Sequence, residues 1–108
     1  MSREERIARN EALFREVNEQ IKDVNDDVPA GSEAGFVCEC GDPECTSTVS
    51  LTLVEYEEVR SEPTHFAVLP GHVVPDVEVV VARNERFAVV RKNEPQAARI
   101  AVREDPRS

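Results

Sequence analysis

The sequence has no tryptophan, one methionine, one tyrosine and four phenylalanines, so aromatic residues fill only 5% of its 108 positions. So few aromatics leave little with which to line a deep pocket for a small molecule. Glycine occurs four times. None of the four falls in a G-x-G-x-x-G or P-loop pattern, which excludes the backbone phosphate cradles those motifs build. A Gly-x-Ser-x-Gly elbow is absent too. No apolar run approaches the ~20 residues of a membrane-spanning helix. The first residues, Ser2-Arg3-Glu4-Glu5-Arg6, are charged where a secretory leader has its apolar segment. A cytoplasmic protein is therefore the expectation. Positive charge is scarce: 13 Lys and Arg face 22 Asp and Glu, a net charge of −9. That is the wrong sign for holding nucleic acid by its phosphates. Lysine is limited to Lys22 and Lys92. The remaining bases are arginines, whose forked donors pair with the excess acid on a solvated surface. With 40% hydrophobic residues, one small domain can form, but its core is thin. A domain of this size commonly needs a metal, a disulfide or a partner as reinforcement.

Cysteine is sparse and confined to one stretch, Cys38-Glu39-Cys40-Gly41-Asp42-Pro43-Glu44-Cys45. An odd count argues against a disulfide framework, and three thiols this close point to a metal. In an extended segment residues i and i+2 face the same side, so Cys38 and Cys40 converge. Gly41-Asp42-Pro43-Glu44 reads as a tight turn that returns Cys45 toward them. Amides in such a turn can donate to thiolate sulfur. Three thiolates leave a tetrahedral zinc one ligand short. The fourth comes from one of the two histidines, His65 or His72. His72 is favoured because Pro70-Gly71 can project it from a turn, whereas His65 opens the apolar run to Leu69. An iron–sulfur cluster is disfavoured because it usually takes four thiolates. The C-x-x-C spacing of thioredoxin-like sites is missing. A zinc with four protein ligands has no open position, so the expected site is structural rather than catalytic. An enzyme is accordingly the minor expectation.

The stretches Phe36–Cys45, Val49–Arg60 and Phe66–His72 together resemble a group of small bacterial proteins that share C-x-C-G-[DN]-x-x-C, an LTxxEYExVR-like segment and Pro-Gly-His. Residues 9–18 are similar to that group as well. The resemblance spans most of the chain. It implies zinc binding with His72 as partner of the three cysteines, and no particular activity.

Ile7, Phe14 and Ile21 recur every seven residues, with Asn10, Val17 and Val24 between them and Leu13 widening the stripe. This period predicts an amphipathic helix over 3–25, packed on the domain or serving as a dimerisation seam or partner-docking face with Asn10 fixing register. Residues 26–35 are polar and contain Pro and Gly, a linker that would let the helix behave as an arm. The metal-binding α+β domain is expected at 36–104. Within it, Phe36–Cys40 reads as a strand. Thr52-Leu-Val-Glu55 is a capping box opening a short helix with Leu53, Tyr56 and Val59 on one side, ended by Ser61-Glu-Pro63. His65–Leu69 reads as a strand. Val77–Ala82 and Arg86–Arg91 form a hairpin through Asn84-Glu85, with Val77, Val79, Val81, Phe87 and Val89 facing the core. Pro95 and the alanines after it suggest a last short helix, and residues 105–108 a frayed tail. The fold class expected is α+β. The function expected is a zinc-stabilised interaction module that meets a protein partner or a second copy through the N-terminal helix. The alternative is a thiol-based redox or metal sensor that releases zinc on oxidation.

Overall fold

The structure, a computed structural model, describes residues 2–29, 31–42, 44–75 and 77–107. Its elements run α1 (Arg3–Val24), β1 (Glu33–Val37), β2 (Thr48–Thr52), α2 (Leu53–Arg60), β3 (His65–Val68), β4 (Glu78–Arg83), β5 (Ala88–Lys92) and α3 (Pro95–Arg103). This is the α+β class. β1 and β2 pair antiparallel, and a second antiparallel sheet has the order β3-β5-β4. The expected linker 26–35 already contains the start of β1. β2 was not foreseen, although Val49 and Leu51 alternate inward as a half-buried strand requires.

Local chemistry sets the helix ends. Ser2 caps α1 by accepting from the Glu5 amide, and Thr52 and Glu55 form the reciprocal capping box of α2. Glu94 accepts from the Gln96 and Ala97 amides at the start of α3, with Pro95 in the first turn, where its missing N–H costs nothing. Asn84 closes the hairpin, its Oδ1 accepting from the Arg86 and Phe87 amides at 2.8 and 2.9 Å. Phe36 of β1 and Tyr56 of α2 stack with centroids 4.5 Å apart. The main cluster continues through Leu51, Val59, Phe66, Val68 and Val90. β5 is the middle strand, and Phe87 to Val90 are buried in succession, so both of its faces are covered.

Two expectations change. Val77 is buried, but Val79 is only half-buried and Val81 is 41% exposed. A register shift between Val80 and Ala82 re-aims the strand, as an extra bulge residue does, so strict alternation from Val77 fails. The inward face of α1 also differs. Ala8, Glu11, Ala12, Arg15 and Asn18 are buried, while Ile7, Phe14 and Ile21 are half-buried and Leu13, Val17 and Val24 are exposed. Alanines let α3 approach closely through Ala97 and Ile100, and each polar residue of that face finds a partner beneath it. The helix is thus docked on the domain rather than free as an arm.

The charges under α1 are unusual for so small a chain. Lys92 is fully buried between Glu11, whose Oε2 lies 2.5 Å from Nζ, and Glu78. Arg15 stacks over Phe66, 3.7 Å from the ring centroid, and donates to the His65 carbonyl at 2.6 Å. Buried Arg60 pairs with Asp105 and Glu19. Arg107 reaches Glu19 at 2.5 Å and Glu57 at 2.8 Å. The tail through Arg107 is therefore anchored by ion pairs rather than frayed; Ser108 lies outside the described residues.

Candidate metal centre

The chain leaves β1 still extended, and Cys38 and Cys40 project to one side of it. The Cys38 amide donates to the Ser47 carbonyl at 3.2 Å, and the Glu39 amide to the Ala67 carbonyl of β3 at 2.9 Å. Glu39 itself turns to the opposite side and is fully buried. It accepts from Asn18 Nδ2 at 2.8 Å and from the Ala67 amide at 2.9 Å. Gly41 follows with φ of +82°, a conformation that favours glycine. The Asp42 carboxylate then accepts from the Glu44 amide at 2.9 Å, and its carbonyl from the Cys45 amide at 3.0 Å. This is the return that brings Cys45 back, as the turn signals suggest; Pro43 within it lies outside the described residues. Past β3, the His72 amide donates to the Leu69 carbonyl at 3.0 Å, and Gly71 has φ of +90°. Leu69-Pro70-Gly71-His72 is thus a type II turn, with Pro and Gly at the positions that geometry demands. It projects His72 over the cysteines.

The sulfurs of Cys38, Cys40 and Cys45 and one nitrogen of His72 all lie within 4.8 Å of one another. His72 presents Nδ1, 3.6 Å from Cys38 Sγ and 3.7 Å from Cys45 Sγ. Zinc–sulfur bonds of ~2.3 Å and a zinc–nitrogen bond of ~2.0 Å at tetrahedral angles put sulfur and nitrogen about 3.5 Å apart. The four donors therefore lie close enough to hold a single metal ion. His65 is not in the group. It sits on β3 opposite Arg91, where desolvation holds its pKa below the ordinary value.

Backbone groups surround the sulfurs. Leu69 donates to Cys38 at 3.3 Å, and the backbones of Asp42 and Ser47 favour the ionised form of Cys40 and Cys45. Such donors stabilise electron-rich sulfur. They act against burial. Desolvation pushes the Cys38 and Cys40 thiols up, reinforced at Cys38 by Cys40 and at Cys40 by Cys45. At Cys45 desolvation also raises the pKa, but hydrogen bonds from Ser47 and the neighbouring cysteines outweigh it and leave the thiol below its usual value. Two buried thiols beside a third are costly to ionise unless a cation joins them.

The residues that hold this segment from behind were not foreseen. Asn18 Oδ1 accepts from the Val37 amide at 2.7 Å, and its Nδ2 donates to the Val37 carbonyl at 2.9 Å. Asn10 Nδ2 donates to the Gly41 carbonyl at 3.0 Å. Asn10 is thus engaged within the chain, not at a coiled-coil seam. Eight-residue spacing of two asparagines on one helix face is the only trace of this arrangement in the sequence.

Comparison with protein-family models, with curated proteins and with solved structures finds no match. No helix among the described residues is long and apolar enough to cross a membrane.

Proposed function

We propose that this protein is a small zinc-binding module in which Cys38, Cys40, Cys45 and His72 hold one structural zinc. The observation that carries the reading is the convergence of the four donor atoms within 4.8 Å. Three thiolates and an imidazole are a donor set that selects zinc over harder cations. When bound, zinc would supply cross-linking rather than reaction chemistry, since all four positions are taken by the chain. It would join the turn after β1 to the turn after β3, and so clamp the two sheets. The zinc with three thiolates would carry a net charge of −1, which the backbones of Leu69, Asp42 and Ser47 are placed to stabilise.

An interaction role is supported by the outer face of α1. Leu13, Val17 and Val24, at helical spacing, are 55%, 38% and 79% exposed. A protein partner or a second copy meets the module there. Leu13→Glu with Val17→Glu abolishes that association in sedimentation or pull-down and leaves metal content unchanged.

Elemental analysis of protein purified without added metal tests the zinc reading. One zinc per chain is expected, lost in Cys40→Ser and His72→Ala and retained in His65→Ala. Equal zinc content in all four proteins would falsify it.

A further inference from the structure

The Val37–Gly41 segment has two sides with different occupants. Cys38 and Cys40 face His72 and Cys45. Val37, Glu39 and Gly41 face α1, held by Asn18 at the Val37 backbone and the Glu39 carboxylate, and by Asn10 at the Gly41 carbonyl. The fit against the helix is close. A Cβ on Gly41 would stand 2.8 Å from Ile7 Cγ2, 2.9 Å from the Ile7 carbonyl oxygen and 3.0 Å from Glu11 Cγ. Strand-like alternation thus gives metal ligands on one side and the seat of a helix on the other.

From this, and resting on the Cys3His reading above, we infer that Asn10 and Asn18 are positioning residues for the metal and that α1 docking is coupled to metal occupancy. The buried face of α1 carries two alanines and three polar residues, Glu11, Arg15 and Asn18. Ala8 packs on α3 and Ile21 on the main core, but the grip of α1 on the cysteine turn runs through the directional hydrogen bonds of Asn10 and Asn18. These weaken steeply as distance and angle change. Without a cation the Cys38–Cys45 turn has no cross-link to His72. Its backbone then wanders from the geometry that Asn18 and Asn10 recognise, and buried Asn18 loses partners it cannot replace without water. Linkage is reciprocal: a helix that grips the extended form of 37–41 pre-arranges two of the ligands and tightens metal binding.

The experiment follows hydrogen exchange of the full chain with zinc and after chelation, well below the melting temperature, beside zinc and cobalt(II) titrations of the Asn10→Leu and Asn18→Leu variants. On chelation, amides of residues 7–20 are expected to exchange faster while β3 and β5 stay protected. Each asparagine variant is expected to weaken metal affinity roughly tenfold and to alter the cobalt(II) absorption bands while still binding one metal. A helix equally protected with and without metal, in protein that binds one zinc, overturns the coupling and leaves the zinc reading intact. So does loss of protection in helix and sheet together, or variants with wild-type affinity and spectra. Failure of the wild type to bind any metal instead removes the zinc reading and the coupling with it. Asn10 is only half-buried, so Asn10→Leu keeps the test open should Asn18→Leu fail to fold.

Discussion

Glu11 carries the clearest consequence of burial at a single position. It shares Lys92 with Glu78, and all three side chains are withdrawn from water. Two carboxylates beside one ammonium leave one excess negative charge, and among the described residues Glu11 Oε1 has no hydrogen-bond partner. Desolvation, opposed by Lys92 and reinforced by Glu78, pushes the Glu11 carboxyl up to about 8. A group whose folded pKa lies above its unfolded value binds more protons in the folded state between the two, so stability falls as pH rises through that window. Between pH 6 and pH 8 this costs on the order of 2 kcal/mol. Glu11→Gln keeps an acceptor for Lys92 and removes the titration. Urea denaturation should therefore show a flatter pH profile for the variant and greater stability than wild type at pH 8. The proposed metal ligands behave differently from such core charges. Cys40→Ser removes a cross-link, and several kcal/mol at about 4 °C per kcal/mol predicts a melting temperature lower by roughly 10–20 °C. His65→Ala, off the site, should shift it far less.

At the scale of elements, the contact between α1 and the cysteine turn is the most exacting. Gly41→Ala meets both a positive φ and the Ile7 backbone. Strain and overlap together predict a loss of about 2–4 kcal/mol, read by chemical denaturation, with zinc still bound at lower affinity. The C-terminal tail is the second such element. Removing residues 104–108 leaves Arg60 buried beside Glu19 without Asp105, and Arg107 no longer bridges Glu19 and Glu57. Breaking a buried pair by deleting one partner costs roughly 3 kcal/mol. The truncated chain should melt earlier, whereas a frayed tail would leave melting unchanged.

For the molecule as a whole, one apolar cluster runs through both sheets, α2 and α3, with polar layers around it. β1 stacks on α2 through Phe36 and Tyr56, a layer of paired charges lies under α1, and four side chains able to hold a metal ion gather together. Polar layers of this kind fix orientation more than they add stability. A cross-link among those four side chains is then the natural complement. Chelation should lower stability and, because α1 is seated on the metal turn, register first in that helix.

Spacing alone determined a good deal here. The i, i+2 cysteines, the Asp42 turn, the Pro70-Gly71 turn before His72, the Thr52–Glu55 capping box and the Asn84 hairpin all depend on contacts within a few residues, where side-chain identity dictates geometry. The sidedness of α1, the outward turn of Val81 and the anchoring of Arg107 were decided only in three dimensions. Apolar periodicity placed Val17 and Val24 inward, but the helix was drawn instead onto Ala8, Ala12 and the polar partners of Glu11, Arg15 and Asn18. Those partners lie on β1, β3, β5 and α3, far along the chain, and a polar residue's preference for burial exists only once its partner is beside it.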